Sequence, residues 1–162
     1  MNAITYKHFT QEQVQELDKS RGCTDTIRKL LRENLFTEKV DLSEETKKAI
    51  ESFQYYSFAF AKDSNFETEK TACYMSIIQE TLLHDIDEKM ESLESSMKYV
   101  KDLILRHSTE RPPISVGIFS SEDASKLAQD MSSRYYRHFN MYKNIFVVKD
   151  KIDADDIDSK DD

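Results

Sequence analysis

The chain has 162 residues, the size of one domain, of which 38% are apolar, 10% aromatic and 33% charged; it carries too many aromatics for a disordered chain and is polar enough to predict a thin core or an extended surface. A formal charge of −8 opposes general attraction to nucleic-acid backbones or anionic lipid, which rests on clustered Lys and Arg. Met1 to Thr10 lacks the apolar core of a signal peptide, and no apolar run approaches the roughly 20 residues that span a bilayer, so a cytosolic or cytoskeletal protein is expected, with neither nucleic acid nor membrane as partner.

Only two Gly and two Pro occur, and none lies between Gly22 and Pro112, so long helices are the expected use of that span. Residues 1–42 read as a leader with short helices that docks on the rest of the chain or on a partner. In it Thr10 is placed to cap Gln11 to Lys19, and Thr24 to cap a segment with Ile27, Leu30, Leu31 and Leu35 on one face. Asp41 with Glu44 three residues later has capping-box spacing. Ala49, Ile50, Phe53, Tyr56 and Phe60 follow, which predicts an aromatic-rich amphipathic helix. Asp63, Ser64 and Asn65 form a polar break able to start a helix over 66–84, with Phe66, Cys73, Ile77 and Leu82 roughly on one stripe.

From Leu83 the pattern runs through Ile86, Met90, Leu93, Met97, Val100 and Ile104 in steps of three and four. That is a seam of about three heptads, the spacing of a short coiled coil and equally of a bundle helix facing its own core. Pro112 and Pro113 must end the helix, leaving residues 111–119 as an extended connector. Ser120 with Asp123 forms another capping box, and Ala124, Leu127, Met131, Tyr135, Phe139, Tyr142 and Phe146 predict a last helix over 121–146. From Lys149 onward seven Asp stand against three Lys, the composition of a disordered acidic tail. The expected fold is all-α: an elongated helical bundle with a short coiled-coil seam and an extended Pro-Pro connector before the last helix. The expected organisation is a leader over 1–42, a helical domain over 43–148 and an acidic tail over 149–162.

No chemistry-bearing pattern emerges. Cys23 and Cys73 form neither a disulfide framework nor a metal pair, which fits a reducing, intracellular compartment. His8, His84, His107 and His138 lack partners at zinc spacing. GxSxG, HExxH and a phosphate-binding Gly loop are absent from the sequence, and Asp85 and Asp87 read as solvated helix-face charges. Asp153, Asp155, Asp156 and Asp158 lack the Gly and the closing Glu of a calcium loop. The expectation is therefore a protein without catalytic, cofactor-binding or metal residues.

Between Met131 and Lys149 there is no Asp or Glu, while Arg134, Arg137, Lys143 and Lys149 are positive. Tyr135, Phe139, Tyr142 and Phe146 share one stripe and are expected to pack the helix on the core. Arg134, Arg137, His138 and Lys143 are expected to face a partner. An acidic partner, or a calmodulin-like protein gripping a basic amphipathic helix, would suit this segment.

Two stretches carry a resemblance: His107 through Arg111, Pro112, Pro113, Ile114, Ser115, Val116, Gly117, Ile118, Phe119 and Ser120, and Tyr136, Arg137, His138, Phe139, Asn140, Met141, Tyr142, Lys143. They resemble the CLAMP family of ciliary proteins, typified by a coiled-coil subunit of a central-pair projection in motile flagella. Members join an RPPFS-type connector ending in Phe to a later RHF-x-x-Y-K segment, and the likeness extends roughly over residues 50–148. This chain has Ile114 where Phe is usual and Asn144 where an aromatic is usual. The resemblance implies a non-catalytic structural subunit of the axoneme, in the central apparatus or linked to radial spokes. Its partners would be larger axonemal scaffold proteins, other small helical subunits of the same projection, and calmodulin; the alternative is a calcium-signalling adaptor whose last helix is a calmodulin target. Arg111, Pro112, Pro113 and Phe119 would join the partner-binding residues, the two prolines stiffening the connector at low entropy cost.

Overall fold

Every residue from Thr71 to Gln79 is buried, which only a helix enclosed on all sides can be. This helix is the centre of an all-α bundle in the computed structural model, which describes residues 3–35, 42–108 and 117–148. The helices are α1 (Gln11–Lys19), α2 (Thr24–Leu35), α3 (Glu44–Asp63), α4 (Thr68–Asp87), α5 (Leu93–Arg106) and α6 (Ser121–Arg134). Central α4 is flanked by α3 and α5 and covered by α1; α2 packs on α3, and α6 on α5. Among the described residues no strand forms, and no helix is long and apolar enough to cross a membrane. Asp41, the connector over 111–116 and the acidic end from Lys149 lie outside the described residues, as does the side chain of Leu35.

Local signals act largely as their chemistry requires. Thr10 and Ser120 each accept from the N3 backbone while Gln13 and Asp123 reach back, so both form complete capping boxes. Other boundaries differ from expectation. The first backbone bond of α2 runs from Ile27 N–H to the Cys23 carbonyl, so Cys23 and not Thr24 occupies the capping position, and the Thr24 hydroxyl meets Tyr55 instead. Ser43, not Asp41, caps α3 through Thr46 N–H. Tyr56 lies off the buried face of α3 and is exposed.

Asp63, Ser64 and Asn65 end α3 and do not start α4. Asn65 is left-handed at φ 60, Phe66 N–H donates to the Ala61 carbonyl and Asn65 N–H to that of Lys62, which is a Schellman ending. The same motif breaks the expected seam. Met90 N–H donates to Asp85 O at 2.8 Å and Lys89 N–H to Ile86 O at 3.0 Å, with Lys89 at φ 58 and Met90 at φ 54. Met90 is buried as the apolar residue that closes the motif; Ser92 then caps a new helix, α5. The seam from Leu83 to Ile104 is therefore no continuous coiled-coil stripe: Val100 and Ile104 enter the core, while Leu93 and Met97 stay 42% and 44% exposed.

The expected last helix is likewise divided. After α6 the backbone at Tyr135 departs from ideal helix (φ −108, ψ −61), and the chain continues as a 3₁₀ turn at Tyr136–His138, a short helix α7 (Phe139–Lys143) and a π-helical turn at Asn144–Val148. The turn brings this segment back against α3. Its rings interlock: Tyr135 meets Phe53 at 5.7 Å and Phe139 at 5.8 Å, and Tyr142 meets Phe146 at 5.6 Å.

His107, at the end of α5, ties three parts of the chain together. Its carbonyl accepts from Ile118 and Phe119 N–H, so the two ends of the undescribed connector meet here, with Phe119 buried against Phe66. Its Nε2 accepts from Ile4 N–H at 3.1 Å, so Nδ1 holds the ring proton and donates to Leu103 O at 2.8 Å. Burial pushes this imidazole below its ordinary pKa.

Two outcomes follow from this packing. Phe139→Ala removes a buried ring and should cost about 3–5 kcal/mol, whereas Leu93→Asp at an exposed site should change stability by no more than about 0.5 kcal/mol; urea unfolding of both variants measures the contrast. The unfolded chain binds a proton at His107 near pH 6.5 and the folded chain resists it. Stability should therefore be full above about pH 7 and fall as pH drops through roughly 6.5. Melting temperatures across that window should fall less steeply in His107→Gln. Glu44, Glu80 and Asp123, whose carboxyls are held below their ordinary values, act only at lower pH.

Candidate docking surface

One buried carboxylate fixes the geometry where α5, α6 and the terminal segment meet. Asp85 continues the buried stripe of Ile78 and Leu82 on α4 and is 2% exposed, in contrast with the solvated helix-face role expected for it; Asp87 is exposed as expected. Tyr135 donates its hydroxyl proton to Asp85 Oδ2 at 2.6 Å and Ser96 of α5 donates at 2.5 Å. With the Ser96 proton so used, Tyr136 must donate to Ser96 Oγ, 2.9 Å away. Burial raises the pKa of both phenols, and the Asp85 charge adds to it, so they remain protonated donors.

Over this anchorage α5 and α6 leave an open groove of about 520 Å³. Val100, Ile104 and Met131 form its floor and are buried. Met97 and the 54%-exposed Leu105 stand on the α5 side. Ala124, Ala128 and Ser132 line the α6 side at steps of four, and Tyr136 also lines it. Lys98 and Lys101 supply the charged groups of the lining. In the sequence the groove leaves one trace: Leu103, Ile104 and Leu105 are consecutive, and a helix cannot bury three successive residues against one neighbour, so one must face out.

The residues expected to meet a partner divide. Arg137 and His138 are exposed in the 3₁₀ turn directly after Tyr136, and Lys143 is half-buried. Arg134 is committed internally: it grips Asp130 through Nε at 2.7 Å and Nη2 at 2.6 Å, reaches Ser57 Oγ at 2.9 Å and lies over the Phe53 ring. Asp130 also accepts from the buried Tyr74 hydroxyl. Phe119 is a core residue, and Arg111, Pro112 and Pro113 fall outside the described residues. Of the packing residues, Tyr135, Phe139 and Phe146 are buried and Tyr142 half-buried. Capture of this segment by a calmodulin-like protein would have to draw those rings out of the core.

Among the described residues no group of three or more His, Cys, Asp or Glu could hold a metal ion. Cys73 is buried, its thiol pushed up to about 12 by burial, which suppresses the reactive thiolate. His8 Nε2 and Lys7 Nζ are tied to Glu80 at 2.8 and 2.5 Å, and His84 stacks on Tyr99 at 3.9 Å.

A family model, CLAMP, described as flagellar C1a complex subunit C1a-32, matches residues 56–154, which include both sides of the groove and residues 135–148 after α6. With more than half of its length matched, the chain belongs to the CLAMP family. Membership makes it a subunit of the C1a complex of the flagellar central apparatus, within the axoneme, with partner proteins there.

Proposed function

We propose that this CLAMP family member is a non-catalytic packing subunit of a central-apparatus projection, joined to its neighbours by protein contact through the α5/α6 groove. Subunits of the family are structural components of the complex. The observation that carries the reading is the groove itself: an apolar channel held open by α5 and α6, with two exposed apolar side chains at its lip. Such a face on a protein otherwise rich in surface charge marks a place where another protein sits. The neighbour presents a helix, whether from a larger scaffold protein or from another small helical subunit. Arg137 and His138, beside Tyr136 at one end of the groove, extend the contact on its positive side.

Incorporation into the axoneme tests this. Ala128 is exposed on the α6 side, so Ala128→Arg should leave melting nearly unchanged, within about ±0.5 kcal/mol, while filling the channel. The tagged variant, in flagellate cells lacking the native chain, should be depleted from detergent-stripped axonemes and appear in the soluble fraction. Reversal of Arg137 and Lys143 to Glu should weaken retention in a salt-dependent way. Full retention of Ala128→Arg would show that the groove plays no part in assembly.

A further inference from the structure

We propose that the groove takes one kind of occupant: a partner helix whose apolar stripe is flanked by acidic side chains. This rests on the packing role proposed above and names the chemistry of the neighbour.

The occupant is a helix because of what the lining lacks. The polar groups of the lining between the two lysines and Tyr136 are the Ser125 and Ser132 hydroxyls, and the Tyr136 hydroxyl is already bonded to Ser96. An extended peptide would bring backbone N–H and C=O groups into a channel unable to pair them. A helix satisfies its own backbone and offers only side chains. The walls suit it: Ala124, Ala128 and Ser132 let a helix axis approach α6 closely, and Met97 on α5 adapts its shape to what it meets. The lined stretch from Met97 to Leu105 is about 12 Å long at the helical rise, room for two turns of partner.

Charge chooses the flank. The whole chain carries −8, yet the charged residues lining the groove are Lys98 and Lys101, one turn apart on α5. Among the described residues neither ammonium forms an ion pair. A helix with Glu or Asp beside its apolar stripe gains from both; one with Lys or Arg is repelled. A second copy of this chain would bring a further −8 to the contact, which disfavours self-association.

The test uses the purified full-length chain and two synthetic helices of about 20 residues, long enough to hold helical structure. They share one stripe of Leu at steps of three and four; one is flanked by Glu, the other by Lys. Fluorescence anisotropy should show the Glu-flanked helix binding at least tenfold more tightly, with the gap narrowing as salt rises. Lys98→Glu with Lys101→Glu should invert the order, and Ala128→Arg should abolish binding of both. Equal binding of the two helices, or binding unchanged in Ala128→Arg, overturns the proposal. A dimer in sedimentation equilibrium that Ala128→Arg dissolves would instead assign the groove to a second copy. Tighter peptide binding by Ile152→Ser with Ile157→Ser would assign it to the chain's own acidic end. Discrimination between the helices without loss of axonemal incorporation in Ala128→Arg refutes the packing role; loss of incorporation without discrimination refutes the acidic helix.

Discussion

The architecture around the groove depends on Asp85. A carboxylate 2% exposed is tolerated only if it is richly hydrogen-bonded, because removing a charge from water costs several kcal/mol even after relaxation. Here the partners come from separate parts of the chain: Ser96 from α5 and Tyr135 from the end of α6, with Tyr136 joined through Ser96. Each hydrogen bond to a buried charge contributes about 1.5–3 kcal/mol. More important is that slipping α5 or the terminal segment by a single residue would take one of the two hydroxyl donors from the carboxylate. An apolar contact tolerates such a slip; a buried charge does not. Asp85 thereby fixes the register on which the shape of the groove relies.

A second carboxylate repeats the logic on the other side of α6. Asp130 receives the Tyr74 hydroxyl from α4 and the bidentate Arg134 guanidinium, which continues to Ser57 and the Phe53 carbonyl on α3. The basic run after Met131 is thus not one surface. Arg134 closes an internal network with its charge matched by Asp130, whereas Arg137 stands in water three residues along the same backbone, past the bend at Tyr135. Because Lys98 and Lys101 lie on α5, the positive charge lining the groove is set by a helix that the sequence marked for its apolar spacing alone.

How much of this is legible in the sequence varies with the range of the interaction that decides it. Thr10 and Ser120 are readable as caps because a capping box closes within four residues, and the aromatic stripe of Tyr135, Phe139 and Phe146 is readable because helical period survives a bend. The resemblance carried by the connector and the Arg137-His138-Phe139 segment is readable because short motifs need no tertiary context. The break at Lys89 and Met90 is not, since a Schellman ending is ordinarily announced by Gly or Asn and here uses Lys at the left-handed position. Met90 conceals it further, because the apolar residue that closes the motif falls where a continuous helix would also want one. Asp85 is hidden for another reason: besides the adjacent His84, its partners lie 11 and 50 positions away, and nothing in its neighbourhood announces those two. Its place on the stripe of Ile78 and Leu82 is the one local sign.

The break and the groove are two aspects of one arrangement. A non-Gly residue in the left-handed region costs about 1–2 kcal/mol, and this turn holds two in succession. Backbone bonds to Asp85 and Ile86, burial of Met90 and the Asp85 network offset that cost. Had α4 and α5 continued as one rod, Val100 and Ile104 would have travelled away from the core with the rest of the seam. Folding α5 back turns those two into the groove floor and leaves Met97 and Leu105 as its lip. The strained turn therefore converts a linear apolar seam, able to pair along its length with many helices, into a short channel with a fixed width and two lysines at set positions. A preorganised channel loses little conformational freedom when it is filled, so the packing role proposed for this subunit would be served better by that rigidity than by a longer, adaptable stripe.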